Sequence, residues 1–330
     1  MAKLVHIFEA VNIIREGGVV AVPTETVYGL AADATNAEAI ARIYKAKNRP
    51  ADNPLICHFH SIEHILEWGI TPNDTALKLL QSFTPGPISM LLNLPSDSSL
   101  KNATCQREQI IVRIPSNNIF AALILGSEKP LAAPSANTSG RFSGTNAMMV
   151  QEDLGELIDA IIDGGSSEHG LESTIVDCTE EGTVKILRPG PIGSDQIREV
   201  IGPDIKVTKV KSGNIIPGSK YRHYAPTTPL FWFNADIPFD KSRNPVLILT
   251  MQDEKRWKGA KHYDDQVPVV MMGDENQPEA ISHNLYQCLY HADSYQRPLA
   301  YISHYHASHN TGIGIALEER LTKAVEGKSN

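Results

Sequence analysis

Pro130-Leu-Ala-Ala-Pro-Ser-Ala-Asn-Thr-Ser-Gly-Arg-Phe-Ser-Gly-Thr145 is the stretch on which the reading of this chain turns. A short apolar run, Leu131 to Ala133, breaks off into Ser135, Asn137, Thr138, Ser139, Ser143 and Thr145, with Gly140 and Gly144 between them. This is the pattern of a buried strand whose exit loop comes close to a ligand. Backbone N–H groups and hydroxyls in such a loop surround anionic oxygens, and glycine permits close approach. A plain solvated Ser/Gly loop has the same composition, so the question is whether other strand ends make the same offer.

They do. Val19 to Val22 reads as a buried strand running into Pro23-Thr-Glu-Thr-Val-Tyr-Gly-Leu30, and Leu55 to Phe59 follows the cationic segment Lys45-Ala-Lys-Asn-Arg49. Further strands are predicted at 88–94, 110–114, 160–162, 174–178 and 184–187, and helices at 6–16, from a Thr35-x-x-Glu38 capping box, from Ser61, and at 119–125, 147–154 and 195–201. The mixture predicts an α/β unit over residues 1–208 built on an open, mixed sheet. Residues 209–229 have no period but carry Tyr221, Arg222, His223 and Tyr224, which is a binding loop or lid rather than a tether. Residues 230–330 alternate strands at 230–233, 246–250, 267–271 and 299–302 with helices at 280–290 and 315–324, predicting a smaller Rossmann-like unit with a parallel sheet.

Composition narrows the functions. The chain has 330 residues, 42% of them hydrophobic, and a net charge of -8. A protein whose main task is gripping nucleic acid is usually basic, so tight RNA binding is disfavoured. The four cysteines form no C-x-x-C pair, which argues against a zinc or dithiol motif and for free thiols in a reducing compartment. No signal sequence or membrane-length apolar run is present, so a cytoplasmic protein without membrane attachment is expected. Lys45, Lys47 and Arg49 cluster at a helix end, Arg113 lies in a strand, Arg141 in the polar loop and Arg188 at the end of another strand, and such cations can converge on a triphosphate or carboxylate. Glu25, Asp33, Asp163, Glu172 and Asp177 flank strand ends as candidate Mg²⁺ ligands, without diagnostic spacing. Gly312-x-Gly314 lacks the third glycine of a dinucleotide fingerprint and is read as helix packing. His304, His306 and His309 fit no metal spacing.

Several long motifs occur in one order. They are Gly18-Val-Val-Ala-Val-Pro-Thr-Glu-Thr-Val-Tyr-Gly-Leu30, Lys47-x-Arg-Pro-x-x-Asn-Pro-Leu55, Pro85-Gly-Pro87, Val112-Arg-Ile-Pro115, Ala133-Pro-Ser-Ala-Asn-x-Ser-Gly140, Ser173-Thr-Ile-Val-Asp177 and Leu187-Arg-Pro-Gly190. Together they resemble the YrdC-like L-threonylcarbamoyladenylate synthases. Pro217-Gly-x-Lys-Tyr-Arg-His-Tyr-Ala-Pro226 and Gly312-x-Gly-x-Ala-Leu-x-x-Arg-Leu321 resemble the long, two-domain form.

The resemblance implies an enzyme that joins L-threonine, bicarbonate and ATP, with Mg²⁺, into threonylcarbamoyl-adenylate and pyrophosphate, for a tRNA modification at position 37. Its downstream partner would be the tRNA threonylcarbamoyl-transfer machinery, with at most a weak direct tRNA contact. By motif match, Thr26, His58, Arg113, Ala133 and Ser173 would hold threonine. Arg49, Asn53, Gln109, Ser135, Asn137, Ser143, Arg188 and Tyr224 would hold ATP, and Lys47 and Arg49 would be the catalytic pair. Gln109 stands where the family often has threonine. Hydrogenase-maturation carbamoyltransferases contain a similar domain, but they carry paired-cysteine zinc modules that this chain lacks.

Overall fold

The computed structural model describes residues 1–210, 223–239, 241–306 and 312–326. Strands β1 (Lys3–Leu4), β2 (Val20–Val22), β3 (Gly29–Asp33), β4 (Ile56–His58), β5 (Ile88–Asn93), β6 (Gln109–Arg113), β7 (Leu131–Ala132), β8 (Ala160–Ile161), β9 (Thr174–Asp177), β10 (Thr183–Arg188) and β11 (Lys206–Lys209) form one mixed sheet. Its order is β1-β8-β2-β3-β7-β4-β6-β5-β9-β10-β11. A second sheet, β12 (Leu230–Trp232), β13 (Val246–Thr250), β14 (Val269–Gly273) and β15 (Ala300–Ile302), is parallel throughout in the order β12-β15-β13-β14.

Helices α1 (Ile7–Arg15), α2 (Ala37–Ala46), α3 (Ile62–Glu67), α4 (Asp74–Phe83), α5 (Asn118–Ser127), α6 (Ala147–Leu154) and α7 (Ser194–Ile201) cover the large sheet. Helix α1 packs on α5, and α4 on α7. Helices α8 (Met251–Lys258), α9 (Pro278–Ser294) and α10 (Gly312–Glu326) belong to the second unit.

Local chemistry explains most boundaries. Helix α2 buries Ala39, Ile40, Ile43 and Ala46 on one face. Its cap is Asn36, whose side chain accepts from Glu38 N and Ala39 N, and not Thr35 as the capping box suggested. Thr35 is already engaged, because its N–H and hydroxyl both bind Asp33. Gly29 and Leu30, read as the end of a loop from Pro23 onward, instead begin the strand Gly29–Asp33, which pairs with both β2 and β7. Helix α4, which apolar periodicity had not separated from the preceding segment, starts at an Asn73 cap and buries Ala76, Leu79 and Leu80. Gly312 lies backbone to backbone against Gly193, where a Cβ would come 2.5 Å from Gly193 N. Close packing, not a nucleotide loop, is therefore the reason for that glycine.

Strand alternation sorts the two faces of the central strands. Cys57, Met90, Leu92, Ile110, Val112 and Val176 point into the main core beneath α2, α4 and α7. The opposite face carries a small apolar floor of Ile56, Leu91, Ile111, Ile175 and Leu187. His58 and Arg113, paired in register on β4 and β6, continue this second face.

Candidate active site

A hollow opens over that second face. Its wall takes Thr24, Thr26 and Tyr28 from the β2–β3 loop, and Lys47 and Arg49 from the end of α2. His58 and Arg113 come from neighbouring strands, and Ala133, Ser135, Asn137 and Ser139 from the loop after β7. Glu172 and Ser173 precede β9, Arg188 ends β10, and His223 and Tyr224 reach in from the far side.

Each cation is held differently. Lys47 is buried, and its ammonium donates to the carbonyls of Ser135 and Asn137, while its own carbonyl accepts from Ser139 N at 2.8 Å. Burial first, then Arg49, pushes its pKa well below the usual lysine value. Arg49 is placed by Asn48, whose left-handed φ of 48° turns the chain after the helix. Its Nε and Nη2 donate to the carbonyls of Asn53 and Pro54 at 3.1 and 2.9 Å. Burial lowers its pKa to about 10.

Arg113 Nη2 donates to Glu25 Oε1 at 2.7 Å and to Thr26 Oγ1 at 2.8 Å, and both members of the ion pair are buried. Arg188 donates from Nε and Nη2 to the Ser173 carbonyl and from Nη2 to its hydroxyl, which in turn meets Ser89 Oγ at 2.8 Å. Gly190 permits this fit: a Cβ there would stand 2.2 Å from Thr174 N and 2.6 Å from the Ser173 carbonyl carbon.

Arg113 Nε, His58 Nδ1 and Glu25 Oε2 are buried with no hydrogen-bond partner among the described residues. Buried polar atoms are seldom left so, and their grouping marks where a polar ligand completes the network. Burial, and next Arg113, hold the His58 pKa well below its ordinary value, so it faces the hollow as a neutral ring. His223 is lowered to about 4 by burial and then by Arg49.

The structure thus brings Thr26, Lys47, Arg49, His58, Arg113, Ala133, Ser135, Asn137, Ser173, Arg188 and Tyr224 to one wall. Asn53 sits behind Arg49 and offers it a carbonyl. Ser143 sits behind Glu172, to which it donates at 2.7 Å. Gln109 needs correction. It lines a separate surface groove with Asn93 and Glu108, because four residues of strand separate it from Arg113, about 13 Å at the usual rise. Arg141 is likewise turned away, toward Asp153 and Asp293.

The five candidate acids do not gather: Glu25 pairs with Arg113, Glu172 with Arg320, and Asp33, Asp163 and Asp177 accept from their own loops. Among the described residues no three His, Cys, Asp or Glu side chains come close enough to hold a metal. His304 stacks on Trp232 with centroids 3.8 Å apart, and His309, Tyr221 and Arg222 lie outside the described residues.

Sequence reasoning missed the depth of the contribution from the second unit. Glu172 accepts from Ser143, from the Tyr286 hydroxyl at 3.1 and 3.2 Å, and from Arg320 Nε at 3.0 Å. Tyr224, a bulky residue at φ 65°, stacks on Tyr286 with centroids 6.0 Å apart and lies 5.2 Å beneath the Arg320 guanidinium. The one signal in the sequence was the arginine in Gly312-x-Gly-x-Ala-Leu-x-x-Arg-Leu321.

A concave face with four cations, hydroxyl-rich loops and a capping aromatic is built for an anionic, polar small molecule. Residues 12–190 match the family described as Telomere recombination (Sua5, yciO, yrdC), and residues 192–325 match Threonylcarbamoyl-AMP synthase, C-terminal domain. The chain is 37% identical to the threonylcarbamoyl-AMP synthase of Bacillus subtilis over 98% of its own length and 94% of that protein. To the Pyrococcus abyssi enzyme of that name it is 38% identical, over 96% and 92%. The crystal structure of P. abyssi Sua5 complexed with L-threonine superposes with a TM-score of 0.80 at 35% identity, over 97% of this chain and 94% of that one. The chain belongs to the threonylcarbamoyl-AMP synthase family, with its two-domain, YrdC-like fold. Among the described residues no helix is long and apolar enough to cross a membrane.

Proposed function

We propose that this chain condenses L-threonine, bicarbonate and ATP to threonylcarbamoyl-AMP and pyrophosphate, in the cytoplasm, feeding a tRNA threonylcarbamoyl-transfer complex. The observation that carries this reading is the convergence of Lys47, Arg49, Arg113 and Arg188 on one hollow. In this reading residues 1–208 supply the chemistry and 230–330 support it, while most of the lid expected over 209–229 lies, at 211–222, outside the described residues.

The chemistry asks for little acid–base work. Bicarbonate takes up a proton and loses water to give CO₂; the threonine amine adds to CO₂ and releases a proton to solvent, giving a carbamate whose oxygen is already a nucleophile. That oxygen attacks the α-phosphorus, and the bond to pyrophosphate breaks. What remains is alignment of two anions and stabilisation of charge on the leaving group.

Arg113 Nε and His58 Nδ1 are unpartnered atoms that would receive threonine, beside Thr26, Ala133 and Ser173. Arg49 and Arg188 would face the phosphates, with Ser135 and Asn137 alongside and Tyr224 closing the top. Lys47, whose ammonium is bound to two carbonyls, would act by holding the Ser135–Ser139 loop in place and by its charge.

Magnesium would arrive with the triphosphate. Glu172 is committed to Arg320, and the wall offers hydroxyl and amide oxygens rather than free carboxylates. That donor set suits an ion that keeps its waters and phosphates. The test is pyrophosphate release from ATP: it should require both threonine and bicarbonate, and release indifferent to threonine refutes the reading.

A further inference from the structure

We propose that Arg320, on the last helix of the C-terminal unit, is a positioning residue for ATP: it neutralises Glu172 and so keeps the Arg188 guanidinium available to the triphosphate. The inference rests on the ATP-dependent reading above and gives the C-terminal unit a chemical task within it.

Glu172 is the anomalous group of the cavity. It is a carboxylate, 6% exposed, on the wall of a hollow otherwise suited to anions. It adjoins Ser173, to which Arg188 is bound by three hydrogen bonds. Left alone, a buried carboxylate here would either repel a polyphosphate or pair with Arg188 and withdraw that cation from it.

The structure shows a different partner. Arg320 is 0% exposed, and its Nε donates to Glu172 Oε2 at 3.0 Å. Tyr286 and Ser143 donate to the same carboxylate, so both of its oxygens have protein partners. Burial by itself would raise the Glu172 pKa, but Arg320 first and Arg188 second hold it low. The carboxylate is therefore ionised, and the largest single compensation comes from Arg320 of the C-terminal unit. Arg320 also lies over the Tyr224 ring, so one side chain sets both the charge behind the cavity and the aromatic that closes it.

The geometry points to a charge-balance experiment. Binding of Mg²⁺ with α,β-methylene-ATP, whose α–β bridge cannot be broken by attack at the α-phosphorus, is measured by calorimetry on the full chain. Arg320→Met should weaken binding by about tenfold, since the Glu172 charge then either repels the triphosphate or draws Arg188 from it. Arg320→Met with Glu172→Gln should recover affinity to within about threefold of the unaltered chain, because the opposing charge is gone. Glu172→Gln alone, a check that does not depend on how Arg320→Met folds, should bind as tightly or up to about threefold tighter. Equal loss in the single and double variants makes Arg320 a structural anchor and overturns the proposal, as does weakened binding in Glu172→Gln or undiminished binding in Arg320→Met. Failure of the unaltered chain to bind the analogue at all would instead refute the ATP-dependent reading.

Discussion

Arg188 lies across Ser173, with Nε and Nη2 on its carbonyl at 3.1 and 3.0 Å and Nη2 on its hydroxyl at 3.1 Å. The two residues tie the proposed phosphate side of the cavity to the proposed threonine side. A guanidinium can hold that forked contact and still present its remaining N–H groups to a phosphate; an ammonium cannot do both. Arg188→Lys should therefore lower kcat/KM for ATP by about a hundredfold, a loss typical of removing one preorganised charge contact. The KM for threonine should change much less. Steady-state pyrophosphate release with each substrate varied in turn separates the two effects.

The Lys47 ammonium is a brace as well as a charge. Lys47→Met keeps the stem but leaves the Ser135 and Asn137 carbonyls without their buried donor, at a cost of about 1–3 kcal/mol for each unsatisfied group. Thermal unfolding should shift down by several degrees, and ATP turnover should fall with it. Arg49→Ala is the contrast: its half-buried side chain contacts main-chain carbonyls at the cavity mouth. The Asn53 carbonyl keeps the Tyr44 hydroxyl as a donor at 2.9 Å, so the melting temperature should fall less than in Lys47→Met, while turnover should drop by at least about a hundredfold.

Removing Arg113 should damage stability and threonine binding by separate routes. Arg113→Ala strands Glu25, a buried carboxylate at 4% side-chain exposure, and breaking such a pair costs about 3–5 kcal/mol. Arg113→Ala with Glu25→Gln should regain most of the stability in urea unfolding while threonine binding stays lost. Recovery of both would place threonine elsewhere.

Acid should weaken the fold in a defined window. The His64 pKa is lowered to about 4, by burial and then by neighbouring His60. Its Nε2 accepts from Trp68 Nε1 at 3.0 Å, a bond that protonation removes. With the folded value below the ordinary 6.5, stability is full above about pH 6.5 and is lost as the pH falls toward 4, where the unfolded chain takes a proton that the fold refuses. His64→Gln should flatten that slope in melting curves collected across the window, and Trp68 fluorescence should report the same transition. His58, His169 and His223 are also lowered, so the slope should shrink rather than vanish.

Much of the architecture was legible because periodicity and breakers agree: α6 spans Ala147–Leu154 as predicted, and Ser61 caps α3. The strand Gly29–Asp33 was not, because its neighbours look like a ligand loop and only its pairing with β2 and β7 makes it a strand. The cations at strand ends could be expected to converge, since open sheets bind at such ends. Gln109 showed the limit: motif spacing named it, but the rise of β6 carries it to another groove. Glu172 illustrates the converse. Sequence marked it as a metal candidate, and only the fold reveals that a residue 148 positions later neutralises it. Such pairings leave no local pattern to read.

The direct measurement is isotopic. The enzyme is incubated with ATP, Mg²⁺, threonine and ¹³C-bicarbonate, and the adenylate formed is weighed by mass spectrometry. One labelled carbon should appear between threonine and AMP, with pyrophosphate released in equal amount. An adenylate of threonine without the label, or pyrophosphate release with no adenylate at all, would contradict the assignment of this cavity to two anions joined at phosphorus.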